Sequence, residues 1–138
     1  MYQHTVHYYE TDKMGVAHHS NYIRWMEEAR VAYLDSIGWD YARVEEEGIV
    51  SPVLGIECEY KSFTRFSDVV SIRVWVARYT GVRLFFGYEM TNAEGKTVFT
   101  ARSEHCFMDP RGRVLRLKRD CPRLDAVLQG LAAGEEQA

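Results

Sequence analysis

The chain has 138 residues and a formal net charge of -3, with 46% hydrophobic and 27% charged residues. That length suits one domain, residues 1–138, with a substantial buried core, and that composition excludes a disordered or fibrous protein. No global basic excess speaks for nucleic acid, so an anionic ligand would have to meet a local patch of cations.

Residues Tyr2 to Tyr9 are rich in Tyr, Thr and Val, which predicts a first strand. The stretch YETDKMGVAHHSNY, Tyr9 to Tyr22, follows as a loop carrying Asp12, Gly15, His18 and His19. A plain turn has no need of adjacent histidines. From about Asn21 to Ile37, Tyr22, Trp25, Met26, Ala29, Tyr33 and Ile37 recur at helical steps, and Gly38 is placed to end that helix. After Gly48 the period changes to alternation. Leu54, Ile56, Cys58 and Tyr60 fall on one side of a strand with one covered face, and the runs Val69 to Tyr79, Val82 to Thr91 and Thr97 to Met108 continue the pattern. The breaks at Thr80-Gly81, Asn92 to Gly95 and Asp109 to Gly112 have turn chemistry and imply an antiparallel meander. A short helix is expected after Pro122, with a frayed tail beyond about residue 132.

The order is therefore one strand, one long helix and four more strands. A sheet of about five strands and a single helix bury their apolar faces by wrapping the sheet around the helix, an α+β fold. Sheet edges left unpaired by this arrangement invite a second copy, so a homo-oligomer is expected.

The cysteines Cys58, Cys106 and Cys121 are odd in number and lack paired spacing, which points to reduced thiols and a cytoplasmic protein. The first residues lack the apolar core of a signal peptide, and no run is long enough to span a bilayer. A metal is not expected: His4 and His7 on a strand would place their rings on opposite faces, and His18 and His19 lack a third ligand.

The segment Tyr9 to Arg30, YETDKMGVAHHSNYIRWMEEAR, resembles the signature of hot-dog fold acyl-CoA thioesterases of the 4-hydroxybenzoyl-CoA thioesterase type, including those associated with the Tol-Pal system. Thr11, Asp12, Gly15, Val16, Ala17 and Tyr22 fill the positions of that pattern. YKSFTRFSD, Tyr60 to Asp68, and ARSEHCFMDPRGR, Ala101 to Arg113, are similar to further segments of the family, although Phe63-Thr64 stands where many members have Pro-Ala before the arginine. The resemblance covers the chain to about Lys118.

It implies a hot-dog fold that hydrolyses acyl-CoA without a cofactor, as a dimer or a dimer of dimers. Thioester hydrolysis needs an acid or base and a stabilised oxyanion. In the resemblance Asp12 is the general base or nucleophile, the backbone of His19 holds the oxyanion, and Gly15 allows close approach of the thioester. Tyr22 and Trp25 belong to an aromatic stripe that is core by default, with Trp25 close enough to the helix start to serve the acyl pocket as well, and both are taken as candidate substrate-binding residues; Arg65 matches a phosphate contact for CoA. The alternatives are an acyl-ACP thioesterase of the same fold and an acyl-CoA binding or sensor module without catalysis.

Overall fold

The computed structural model describes the backbone of residues 1–137. Its strands are β1 (Tyr2–Thr5), β2 (Val53–Tyr60), β3 (Val69–Tyr79), β4 (Arg83–Thr91) and β5 (Thr97–Cys106). Its helices are α1 (Ser20–Ser36), α2 (Tyr41–Glu46), α3 (Leu117–Asp120) and α4 (Pro122–Gln137). The strands form one five-stranded sheet in the order β1-β3-β4-β5-β2, and β1 runs antiparallel to β3 with Tyr2 opposite Ile72 and Thr5 opposite Val69. The expected α+β class is borne out, and β3, β4 and β5 form the expected meander, while β2 lies beside β5 rather than β3. Thr80 and Arg83 close the turn between β3 and β4, and Asn92 and Lys96 close the turn between β4 and β5.

The chain divides into two compact units. The first comprises residues 1–33, 58–74 and 88–101, and its buried apolar residues include Trp25, Met26, Ile72, Tyr88, Met90 and Phe99. The second comprises residues 34–57, 75–87 and 102–138, and buries Trp39, Ile49, Val76, Phe86, Leu117 and Leu128. In this second unit Asp40 caps α2 by accepting the N–H of Arg43 at 2.9 Å, which explains a short helix that the apolar spacing alone does not mark. Helix α4 reaches Gln137, well past the short helix expected from the sequence, and Ala138 at the end of the expected frayed tail lies outside the described residues.

Two expectations need correction. The first strand stops at Thr5 rather than Tyr9, because the next backbone groups turn to a different partner: Val6 donates to the carbonyl of Asp68, and Ser67 donates to the carbonyl of Val6. A 3-10 turn then carries Tyr8–Glu10, with the N–H of His7 held by Glu10 Oε1 at 2.8 Å. The second correction concerns β2, which has no covered face. Leu54, Ile56 and Tyr60 are 45%, 38% and 48% exposed, and β2 is the last strand of the sheet.

Candidate active site

The loop between the 3-10 turn and α1 is a tight hairpin belonging to the first unit. Asp12 donates its N–H to the carbonyl of Val16 at 3.0 Å, Gly15 donates to the carbonyl of Asp12 at 2.9 Å, and Thr11 and Ala17 form an isolated antiparallel bridge. Gly15 turns the chain at φ +76°, in the left-handed region where a side chain is strained. Asp12 is half-buried, and its Oδ1 accepts the N–H of Met14 at 2.8 Å. The hairpin thus holds the carboxylate by one oxygen and fixes its direction through the local backbone.

The start of α1 is wired to the same loop. His18 donates its N–H to the carbonyl of Glu10 at 2.8 Å, and Ala17 donates to the carbonyl of Thr64 at 2.8 Å. Within the first turn, Ser20 N–H meets His18 Nδ1, Asn21 N–H meets the carbonyl of His18, and Tyr22 N–H meets the carbonyl of His19. The first N–H groups of a helix have no partner within the helix itself, so each needs another acceptor. Among the described residues the N–H of His19 meets none, and it stands at the positive end of a 17-residue helix dipole.

A cavity of about 200 Å³ at the start of α1 is lined by Ala17, His19, Tyr22, Tyr60, Lys61, Ser62 and Phe63. The phenol of Tyr60 donates to the carbonyl of His19 at 3.0 Å, and the phenol of Tyr22 shares a 2.9 Å hydrogen bond with the buried hydroxyl of Thr64. Burial pushes both phenols above the usual tyrosine range, so both keep their protons near neutral pH. The wall is aromatic behind the helix start: the ring of Tyr22 lies 5.1 Å from that of Phe99 and 5.3 Å from that of Tyr60.

Of the residues singled out in the sequence, His19 and Tyr22 line this cavity. Asp12 and Gly15 sit on the hairpin that leads into it. Trp25 is only 1% exposed and lies outside the lining, with its indole N–H donated to Glu10 Oε2 at 2.7 Å. Arg65 is exposed on the turn before β3, where its backbone N–H meets Asp68 Oδ2 at 2.8 Å. His18 is exposed, with its ring 4.2 Å from that of His19.

Sequence reasoning passed over Glu10, Tyr60 and Thr64 as site residues. Tyr60 and Thr64 fall within the matched segment YKSFTRFSD, which was their available signal. His4 and His7 do not face apart as strand alternation would place them. Because β1 ends at Thr5, the two rings come within 5.3 Å of each other, and their ligating atoms and a Glu10 oxygen all lie within 4.8 Å.

A family model described as the thioesterase-like superfamily matches residues 6–131. The chain belongs to this superfamily. YneP of Bacillus subtilis (strain 168), provisionally named an acyl-CoA thioesterase, is 35% identical over 104 residues, spanning 75% of this chain and 75% of YneP. The acyl-CoA thioester hydrolase YbgC of Escherichia coli O157:H7 is 27% identical over 105 residues, spanning 76% of this chain and 78% of YbgC. Among solved structures, the DHNA-CoA thioesterase of Staphylococcus aureus superposes with a TM-score of 0.93 at 31% identity, covering 99% of this chain and 92% of that one. The thioesterase-like chain therefore has the hot-dog fold that its sequence leads one to expect, and its Asp12 hairpin and helix start fall inside the matched range.

Proposed function

We propose that this thioesterase-like protein hydrolyses acyl-CoA thioesters to the free acid and CoA, using Asp12 and the start of α1. The observation that carries the reading is the unpartnered N–H of His19, a residue that lines an aromatic cavity, at the N-terminus of a long helix and a few residues from a hairpin carboxylate. An N–H in that position is a ready donor to the oxygen of a thioester carbonyl as it gains negative charge. Asp12 acts as general base on a water or as the nucleophile itself. In either route the carbonyl carbon becomes tetrahedral, the His19 N–H holds the oxyanion, and collapse expels the CoA thiolate, which takes up a proton; the general-base route releases the acid directly, while the nucleophilic route leaves an acyl anhydride on Asp12 that a water then hydrolyses to the acid and free Asp12. Gly15 keeps the hairpin tight, Tyr22 borders the acyl end, and Trp25 supports Tyr22 from the core, its ring 4.6 Å from that of Tyr22. Arg65 is an exposed cation suited to a CoA phosphate.

The site is completed by a second copy of the chain. Asp12 does not line the cavity of the single chain, while Val53, Leu54, Ile56, Tyr60, Phe63 and Phe66 are all exposed on or beside the edge strand β2. An open sheet edge carrying apolar side chains supports pairing with another edge, as a dimer or a dimer of dimers. Cytoplasmic residence is part of the same proposal, supported by the free thiols Cys58, Cys106 and Cys121; no helix of the structure is long and apolar enough to cross a membrane.

A panel of aromatic, short-chain and medium-chain acyl-CoA esters, assayed for thiol release alongside the same acyl groups on acyl carrier protein, tests this function. The reading expects turnover of at least one CoA ester, with weaker turnover of its carrier-protein counterpart. Absence of thiol release from every ester would reject it. Light scattering in the same buffer is expected to show an oligomer, and a fully active monomer would reject the shared site.

A further inference from the structure

Glu10 is a buried acid with a role still open: its residue is only 5% exposed, yet both carboxylate oxygens are fully engaged. Oε1 lies 2.8 Å from His4 Nε2 and accepts the N–H of His7 at 2.8 Å, while Oε2 accepts the indole N–H of Trp25 at 2.7 Å. The backbone of the same residue faces the site. Its carbonyl accepts the N–H of His18 at 2.8 Å and the side-chain amide of Asn21 at 2.9 Å. One residue therefore ties β1, through His4, and the second turn of α1, through Trp25, to the backbone that precedes Asp12 and to the turn that presents His19.

We infer that Glu10 is the positioning residue of the thioesterase site, holding the Asp12 hairpin and the His19 N–H in mutual register. The inference rests on the site proposed above. It needs an acceptor oxygen at each end of the side chain, because a group that can only donate meets each one, His7 N–H at Oε1 and Trp25 Nε1–H at Oε2. His7 N–H and Trp25 Nε1–H can only donate, and an ionised carboxylate only accepts. The proximity of His4, His7 and Glu10 resembles a metal set, but the hydrogen bonds already claim both oxygens of Glu10, and they account for the cluster without an ion.

A glutamine at position 10 has the same shape with one oxygen and one amino group. Either orientation of that amide sets a donor against a donor: the amino group meets Trp25 N–H in one and His7 N–H in the other. Replacing Trp25 by Phe removes one of these donors, so the two changes should compensate when combined. A misplaced reacting group costs rate more than binding, and displacement by about 1 Å can cost about 100-fold.

The test compares kcat and KM for wild type, Glu10→Gln, Trp25→Phe, the double variant and Asp12→Asn, on the best ester of the panel and well below each melting temperature. Glu10→Gln is expected to lower kcat by about 10-fold or more, with KM changed by about twofold or less. The double variant is expected to regain at least about threefold in kcat over Glu10→Gln, a coupling typical of residues in direct contact. A Glu10→Gln enzyme with wild-type kcat, beside an inactive Asp12→Asn enzyme, overturns the positioning role and leaves the site standing. Losses that simply multiply in the double variant overturn it as well. A fully active Asp12→Asn enzyme overturns the site and this inference together. Should Glu10→Gln fail to fold, the double variant decides: activity supports the inference, and a natively folded but inactive double variant overturns it.

Discussion

The phenol of Tyr60, at the end of edge strand β2, donates to the carbonyl of His19 at 3.0 Å and so ties an exposed strand to the first turn of α1. The peptide unit that offers its N–H to the cavity and the one that receives the phenol belong to the same residue. Tyr60→Phe keeps the ring against Phe99, 5.1 Å away, and removes only this bond. A net loss of about 0.5–1.5 kcal/mol is expected for such a bond, so the melting temperature should fall by a few degrees and kcat by about threefold to tenfold. A thermal scan and a kinetic comparison with wild type check both.

Arg65 stands apart from the cavity lining and is exposed, so its contribution is expected in binding alone. Arg65→Ala should raise KM for the CoA ester with little change in kcat, the behaviour of an interaction made equally in ground and transition states. The difference should shrink as salt is raised, since screening already weakens the wild-type contact. Initial rates at low and high ionic strength measure it.

The second unit offers a structural test remote from the chemistry. Trp75 on β3 lies across Gly87 on β4, and a Cβ at position 87 would fall inside the contact distance of the indole Cε2 and Cζ2. Gly87→Ala forces that ring to move. A loss of about 1–3 kcal/mol is expected, in the range for overpacking, and urea unfolding followed by tryptophan fluorescence gives the value.

Acid should act on the protein through Glu10. Burial raises its carboxyl, but the hydrogen bonds from His7, His4 and Trp25 together outweigh burial and hold it below the ordinary range. A carboxyl with a lowered folded-state value contributes stability that is present above its unfolded value and lost as pH falls through the folded one. The stability gap between wild type and Glu10→Gln should therefore be widest near neutral pH and narrow below about pH 4. Melting temperatures of the two proteins across an acid series report the gap.

The bounds of β3 can be read from Val69 to Tyr79 without adjustment, because alternation and a Thr80-Gly81 turn mark both ends. Asp12, Gly15, His19 and Tyr22 stand out through the resemblance to the thioesterase signature, which is carried by one continuous stretch running into α1. Glu10 is hidden. In YETD it looks like a polar loop residue, and its burial depends on β1 ending at Thr5, which is decided by Val6 and Asp68 more than 60 residues apart in the chain. Tyr60 is hidden too, since alternation marks it only as one residue of a strand face, while its bond to the His19 carbonyl joins residues 41 apart in the chain.

The central claim is that thioester cleavage runs through the Asp12 carboxylate. Asp12→Asn preserves the side chain's size and its ability to accept the Met14 N–H, and removes only the charge. The most direct measurement is kcat for thiol release by this variant on the best acyl-CoA substrate, with circular dichroism confirming an intact fold. A fall of at least about 100-fold is expected, the scale of losing a positioned acid or base. A kcat within about threefold of wild type, on the scale of a weak supporting contact rather than a lost acid or base, would contradict it.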